Sequence, residues 1–195
     1  MNVLKGRRIA VDMDEVLYPM LSRLDKHYKA RYGKTPPPQA PTKYDYSSHY
    51  NLTTLESKRF VESFYHSSIA YETKPIHSAV EAMKFLQQDN ELFVVTGRQN
   101  YTQCKNVTYQ LLDDDFANIF SFVFFTNSYS LEGDETAKSE ICIKENFDLL
   151  IDDSIHNCAE CSKKGIDSYL FGNYSWNCVS EDFTRIESWE NNTFT

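Results

Sequence analysis

The sequence predicts an α/β fold, a doubly wound, mostly parallel, Rossmann-like sheet with a small helical cap inserted after its first strand. Two observations carry that expectation. Short apolar runs that end in an acid or a threonine alternate with segments of helical period, and a single stretch directly after the first run breaks the alternation. The size agrees. At 195 residues, 41% hydrophobic and 25% charged, the chain can build one medium domain, or one core with a small insertion. Six glycines and six prolines exclude a collagen-like or low-complexity chain.

Arg8 to Asp12 (RIAVD) reads as a buried strand that delivers its last side chain to the edge of the sheet. Glu91 to Thr96 (ELFVVT), Phe122 to Thr126 (FVFFT) and Asp148 to Asp152 (DLLID) repeat the pattern, and Ser168 to Phe171 is a weaker fifth strand. Helical period falls on Ile76 to Gln88, Tyr101 to Leu112, Thr136 to Asn146 and Ser154 to Lys164, the last closed by Gly165. In such sheets a ligand sits beyond the carboxyl ends of the strands.

Val16 to Pro75 departs from this order. It offers a helix from Pro19 to Arg31, then Pro36, Pro37, Pro38 and Pro41, a tyrosine-rich stretch, and a helix from Thr53 to Ser67. The expected division is therefore a core of residues 1–15 and 76–195 and a cap of residues 16–75. Tyr44, Tyr46, Tyr50, Phe60, Phe64 and Tyr65 read mainly as packing for that cap, with stacking on a planar base as the other use.

Twenty basic residues against 28 acidic ones leave a net charge of −8, the wrong sign for holding a nucleic-acid backbone, so stable nucleic-acid binding is not expected. A small anionic ligand would need a metal or a few placed cations. No apolar run approaches the roughly 18 residues of a membrane span. Met1 to Arg8 lacks the apolar stretch of a secretion signal, which makes the cytoplasm the expected compartment. Cys104, Cys142, Cys158, Cys161 and Cys178 are odd in number and read as free thiols. The Asn-x-Ser/Thr triplets at Asn51, Asn106, Asn173 and Asn191 then carry no expectation of glycosylation.

The strongest chemical signal is Asp12-Met13-Asp14-Glu15-Val16, where two carboxylates leave a strand into a turn and can reach one site. One carboxylate can attack phosphorus while the other protonates the leaving oxygen and later takes a proton from water. Asp152 and Asp153 close another apolar strand and concentrate negative charge where a hard cation such as Mg²⁺ would sit. Thr96, Gly97 and Arg98 place a hydroxyl, an open amide and a guanidinium at a strand end, groups suited to phosphoryl oxygens. Lys138 opens a helix, where a cation opposes the dipole and so needs a reward such as a carboxylate or a phosphate. Taken singly, each has a plainer reading as a solvated turn or surface residue.

Other candidates carry less. Cys158 and Cys161 have zinc-like spacing without a second pair. Gly133 to Ser139 resembles a P-loop faintly, but Ala137 stands where a glycine is required. His77 and His156 read as structural.

In order, Asp-x-Asp, Thr-Gly-Arg, Lys138 and Asp152-Asp153 reproduce the four motifs of the haloacid dehalogenase superfamily of Mg²⁺-dependent phosphotransferases. Within it the chain most resembles the C-type 5′-nucleotidases and 5′(3′)-deoxyribonucleotidases. The resemblance runs from Arg8 to about Asn177 and includes Lys138 to Cys142, Asp148 to Ser154, and Trp176-Asn177.

The resemblance implies Asp12 as nucleophile and metal ligand, and Asp14 as general acid and base with its backbone carbonyl on the metal. It implies Thr96 and Lys138 as phosphate-binding residues, to which the strand-end reading adds Gly97 and Arg98, and it implies Asp152 and Asp153 around the Mg²⁺. Two positions depart. Glu15 stands where many relatives carry Gly, and Ser154 where the mammalian enzymes carry Arg. The expected activity is hydrolysis of a nucleoside monophosphate, 5′- or 3′-deoxyribonucleotides foremost, through an aspartyl-phosphate. The alternatives are a sugar phosphate, another small phosphomonoester or a nucleic-acid 3′-phosphate, and, in another class, an inactive nucleotide-binding module. A homodimer is compatible with the sequence.

Overall fold

Six strands form one sheet: β1 (Arg8–Val11), β2 (Glu91–Thr96), β3 (Phe120–Phe125), β4 (Leu149–Asp152), β5 (Asp167–Phe171) and β6 (Thr184–Ile186). Their spatial order is β3-β2-β1-β4-β5-β6, and every neighbouring pair is parallel. The computed structural model describes residues 4–38, 41–43, 45–178 and 182–190, so Tyr44 and Asn191 lie outside the described residues.

Alternation along the central strands explains the two apolar layers. Ile9, Val11, Leu92, Val94, Leu149 and Ile151 face one layer, whereas Ala10, Phe93, Val95 and Leu150 face the other. Successive side chains of a strand point to opposite faces, so these strands are buried on both sides. The second layer is closed by Ile141 and Cys142 of α7 (Lys138–Lys144) and Cys161 of α8 (Ile155–Lys163).

The first layer is larger. It takes in α5 (Ala79–Gln87) and α6 (Thr102–Asp115), and it continues without a break into the helices that follow β1. Those are α1 (Met20–Tyr32), α2 (Tyr46–Tyr50), α3 (Thr54–Tyr65) and α4 (Ser68–Tyr71). Leu24, Tyr50, Phe60 and Phe64 are among the residues they bury there.

Most elements fall within a few residues of expectation, and the exceptions have local causes. The helix expected over Thr53 to Ser67 stops at Tyr65, because Ser67 turns extended and its hydroxyl donates to Phe64 O at 2.7 Å. It starts at a capping box, Thr53 with Glu56. The helix α2 was not expected. Its five residues are too few to show a period, and it is nucleated by Asp45, whose carboxylate accepts the Ser47 and Ser48 amides. The three-residue β6 was missed for the same shortness.

Gly165 closes α8 with a positive φ of 81°, its amide on Ser162 O and the next amide on Cys161 O. The five cysteines are free, four of them buried. Among the described residues no helix is long and apolar enough to cross a membrane.

Candidate active site

Strand register decides which side chains meet. Val11 pairs with Val94 on one side and Ile151 on the other, so Asp12 and Asp152 leave adjacent strands at the same end. The Asp12 amide extends the ladder by one bond to Ile151 O at 2.9 Å. The chain then curls: Leu17 and Tyr18 amides both return to Met13 O, and the Glu15 amide to Tyr18 O. Met13, Val16, Leu17 and Tyr18 are fully buried, which fixes the curl in the core.

Glu15 sits at φ 61°, in the left-handed region that favours glycine. Its own contacts hold it there. The carboxylate accepts the Leu21 amide at 2.5 Å, capping α1 in place of Pro19, which offers no side-chain cap. Its carbonyl accepts Tyr174 Oη at 2.6 Å. Burial raises the Glu15 carboxyl to about 7.

Asp12, Asp152 and Asp153 present carboxylate oxygens within 4.8 Å of one another, all three buried. Lys138 enters this cluster from the start of α7. Its Nζ lies 2.6 Å from both Asp12 Oδ1 and Asp152 Oδ2. Burial acts to lower the ammonium, but Asp12 and then Asp152 outweigh it and hold it well above its ordinary range. That double pairing is the reward a cation at a helix start requires.

The remaining acceptors are held by neutral donors. Asp152 Oδ1 takes the Ser154 amide at 2.9 Å and Asn157 Nδ2 at 3.1 Å, and Asp153 Oδ2 takes Trp176 Nε1 at 2.7 Å. Burial raises Asp12 to about 7 against the opposing pull of Lys138, and burial with Asp152 beside it raises Asp153 well above the usual carboxylate range.

Three carboxyl groups share one ammonium, and apart from that ammonium, 2.6 Å away, the buried Asp12 Oδ1 has no hydrogen-bond partner. That donor set, oxygen-only, buried and short of positive charge, fits a hard divalent cation such as Mg²⁺.

Asp14 is not part of the cluster. Its carboxylate is clamped by Arg98, with Nε 3.1 Å from both oxygens and Nη2 2.7 Å from Oδ1. Arg98 Nη1 donates to Thr108 Oγ1 of α6 at 3.0 Å. The Thr96 side chain is fully buried and accepts the Arg98 amide at 3.2 Å, beneath the cavity rather than in its wall. Gly97 lines the cavity; a Cβ there would meet only Ser128 Cβ at 3.8 Å, an ordinary contact.

Above these groups lies a cavity of about 600 Å³. Asp12, Asp14, Gly97, Arg98, Lys138 and Asp153 line its floor; Met20, Tyr46, Val61 and Tyr65 come from the helices after β1, and Gln99, Ser128 and Tyr129 from loops after β2 and β3. Sequence reasoning missed Asn157 and Gln99. Asn157 lies one turn into α8, where position alone could have flagged it; nothing marks Gln99, buried with Nε2 on Tyr129 O at 2.9 Å. His77 and His156 prove to be surface residues beside Glu190 and Glu160, and His156 edges the cavity mouth.

A parallel sheet with a helical segment after β1, and an acid cluster with a lysine at its strand ends, is a fold shared with hydrolases of the haloacid dehalogenase superfamily. The chain belongs to the family described as 5′ nucleotidase, deoxy (pyrimidine), cytosolic type C protein (NT5C), whose model matches residues 7–194.

The fold recurs in a haloacid dehalogenase-like hydrolase from Streptococcus pneumoniae (TM-score 0.66, 14% identity, covering 92% of this chain and 93% of that one). It recurs in a subfamily IA hydrolase of the superfamily from Geobacter sulfurreducens (0.63, 14%, 94% and 96%). It recurs again in CbbY from Rhodobacter sphaeroides, solved with phosphate (0.62, 12%, 94% and 95%). No curated protein matches the chain in sequence.

Proposed function

We propose that the chain is a Mg²⁺-dependent phosphomonoesterase that hydrolyses nucleoside monophosphates, deoxyribonucleotides foremost, through an aspartyl-phosphate. One observation carries this reading: Asp12 stands on the cavity floor with Lys138 Nζ at 2.6 Å, while Asp14, two residues on, is held apart on a cation of its own. The two carboxylates are thereby given different environments, as a nucleophile and a proton carrier require.

Asp12 attacks phosphorus, and the ester bond breaks as Asp14, carrying the proton it took from water in the preceding turnover, gives that proton to the departing oxygen. Water then attacks the acyl-phosphate, Asp14 takes a proton from it, and Asp12 is regenerated with release of phosphate. Lys138 and the Gly97 amide face the phosphoryl oxygens, with the Thr96 hydroxyl beneath them. Asp12, Asp152 and Asp153, together with the Asp14 carbonyl, would hold the metal. When bound, Mg²⁺ neutralises charge on the nucleophile and the transferred group.

The helical segment of residues 16–75 acts as the cap over this floor, excluding water from the first step and contacting the nucleoside through Tyr46, Val61 and Tyr65. The family description supports both the nucleotide substrate and a cytosolic setting. The test is phosphate release, with and without Mg²⁺, from 5′- and 3′-deoxyribonucleotides, ribonucleotides, sugar phosphates and a 3′-phosphorylated oligonucleotide. Metal-dependent release that favours deoxyribonucleotides is expected. A preference for sugar phosphates would overturn the substrate, and nucleotide binding without turnover would overturn the enzyme.

A further inference from the structure

Arg98 has the residue type of a phosphate ligand but not the geometry of one. Its side chain is 2% exposed, and the guanidinium directs two of its three nitrogens at Asp14, one contact at 2.7 Å and two at 3.1 Å. The third nitrogen is tied to Thr108 Oγ1, which itself donates to Cys104 O at 2.8 Å within α6. The guanidinium carbon lies 5.6 Å from the centre of the Tyr65 ring. A planar fork anchored on a helix, under an aromatic ring and on both oxygens of one carboxylate, fixes that carboxylate in orientation as well as place. Lys138, in contrast, is a point charge shared between two acids of the metal cluster.

We propose that Arg98 is a positioning residue: it orients the Asp14 carboxylate for proton transfer to the leaving oxygen and from water, and it does not bind the phosphoryl group. This rests on Asp14 being the proton carrier in the phosphomonoesterase proposed above. Arg98 acts on the reaction only through Asp14. Removing Asp14 should therefore remove any consequence of removing Arg98, a non-additivity that two independent contacts with substrate would not show.

The experiment is a double-mutant cycle on the full chain with Mg²⁺, using Arg98→Met, Asp14→Asn and the pair, with p-nitrophenyl phosphate and a deoxyribonucleoside monophosphate as substrates and inorganic phosphate as competitive inhibitor. Arg98→Met should lower kcat on the nucleotide by about 10²-fold, the scale of a misplaced general acid. It should lower kcat less on the aryl ester, whose leaving group needs no proton, and shift phosphate inhibition by less than about threefold, well under the tenfold expected for a lost charged contact. In the Asp14→Asn background it should cost nothing further.

Because removing one partner of a buried pair can unfold the chain, Arg98→Lys is measured alongside, with a thermal melt for each variant. Lysine keeps the charge and loses the fork, so the same leaving-group pattern is expected. Multiplicative losses in the cycle, or phosphate inhibition weakened tenfold or more, would overturn the assignment of Arg98 while leaving the phosphatase standing. A wild-type chain that releases phosphate from neither substrate would overturn both.

Discussion

The floor of the cavity and its wall are built on different terms. The floor comes from the ends of β1, β2 and β4 and the start of α7, its charged side chains are buried or nearly so, and each is fixed by ion pairs or hydrogen bonds of 2.6 to 3.2 Å. The wall comes from α1, α2, α3 and two loops, and its groups are Met20, Tyr46, Val61, Tyr65 and Tyr129. The floor dictates a reaction type, because only a few arrangements of carboxylate, ammonium and cation are chemically useful. In the proposed function the wall sets which molecule fits, and many apolar surfaces serve equally well. Changes in the floor should abolish turnover of every substrate, and changes in the wall should reorder substrates.

The largest effect is expected at Asp12. Asp12→Asn should reduce Mg²⁺-dependent phosphate release by about 10⁴-fold or more on all substrates, as loss of a nucleophile does elsewhere. Its stability in metal-free buffer should fall less than that of a Lys138 variant, because a carboxyl that burial has pushed to about 7 is replaced by a neutral amide and the Lys138 ammonium keeps Asp152. Phosphate release with a urea unfolding midpoint checks both halves; an Asn variant that keeps turnover removes Asp12 from the chemistry.

Lys138→Met should follow. It leaves Asp12 and Asp152 buried without their cation, at a cost of about 3–5 kcal/mol and with turnover lost. Added Mg²⁺ should raise the melting temperature of this variant more than that of the wild type, since the metal would become the cluster's sole positive charge. Equal shifts would show that Lys138 and the metal do not share these acids.

That contrast also explains what the sequence disclosed. Asp12, Asp152 and Lys138 were legible because a strand end or a helix start is a position that local pattern marks, and register then brings neighbouring strand ends together. The parallel core was legible for the same reason, through apolar runs and helical period. Arg98 was legible as a site residue but not in its partner. No local pattern says that a guanidinium two residues beyond β2 will close on Asp14, 84 positions earlier. Gln99, Asn157 and the short α2 left no periodic trace, and Trp176 reaches Asp153 from a loop after β5. The wall depends on how the helices after β1 settle on α6, a tertiary outcome.

Glu15, at the junction of floor and wall, separates stability from chemistry. Its folded pKa of about 7 lies above the ordinary 4.5. The native state therefore holds a proton that the unfolded chain releases, and stability falls as pH rises between those values. Below pH 4.5 the contribution is absent, and above pH 7 it levels off at about 3 kcal/mol. Glu15→Gln keeps an acceptor for the Leu21 amide and removes the charge. In metal-free buffer its unfolding free energy should match the wild type near pH 4 and exceed it by up to that amount at pH 8. Parallel curves across this window would mean that the carboxyl is not held protonated.

The smallest effect belongs to the wall. Val61→Ala removes two methyl carbons from the cavity side of α3, where the residue is nearly buried, and should cost on the order of 1 kcal/mol of stability. The same loss of contact should raise KM for a nucleoside monophosphate by about 10-fold, the low end of the roughly 10- to 200-fold that one methylene is worth in an apolar pocket. KM for p-nitrophenyl phosphate should move less, because a smaller ester reaches less of the wall. If Val61→Ala instead lowers kcat on both esters alike, α3 is holding the floor in place, and the division between a chemical floor and a selective wall fails at the residue where it should be plainest.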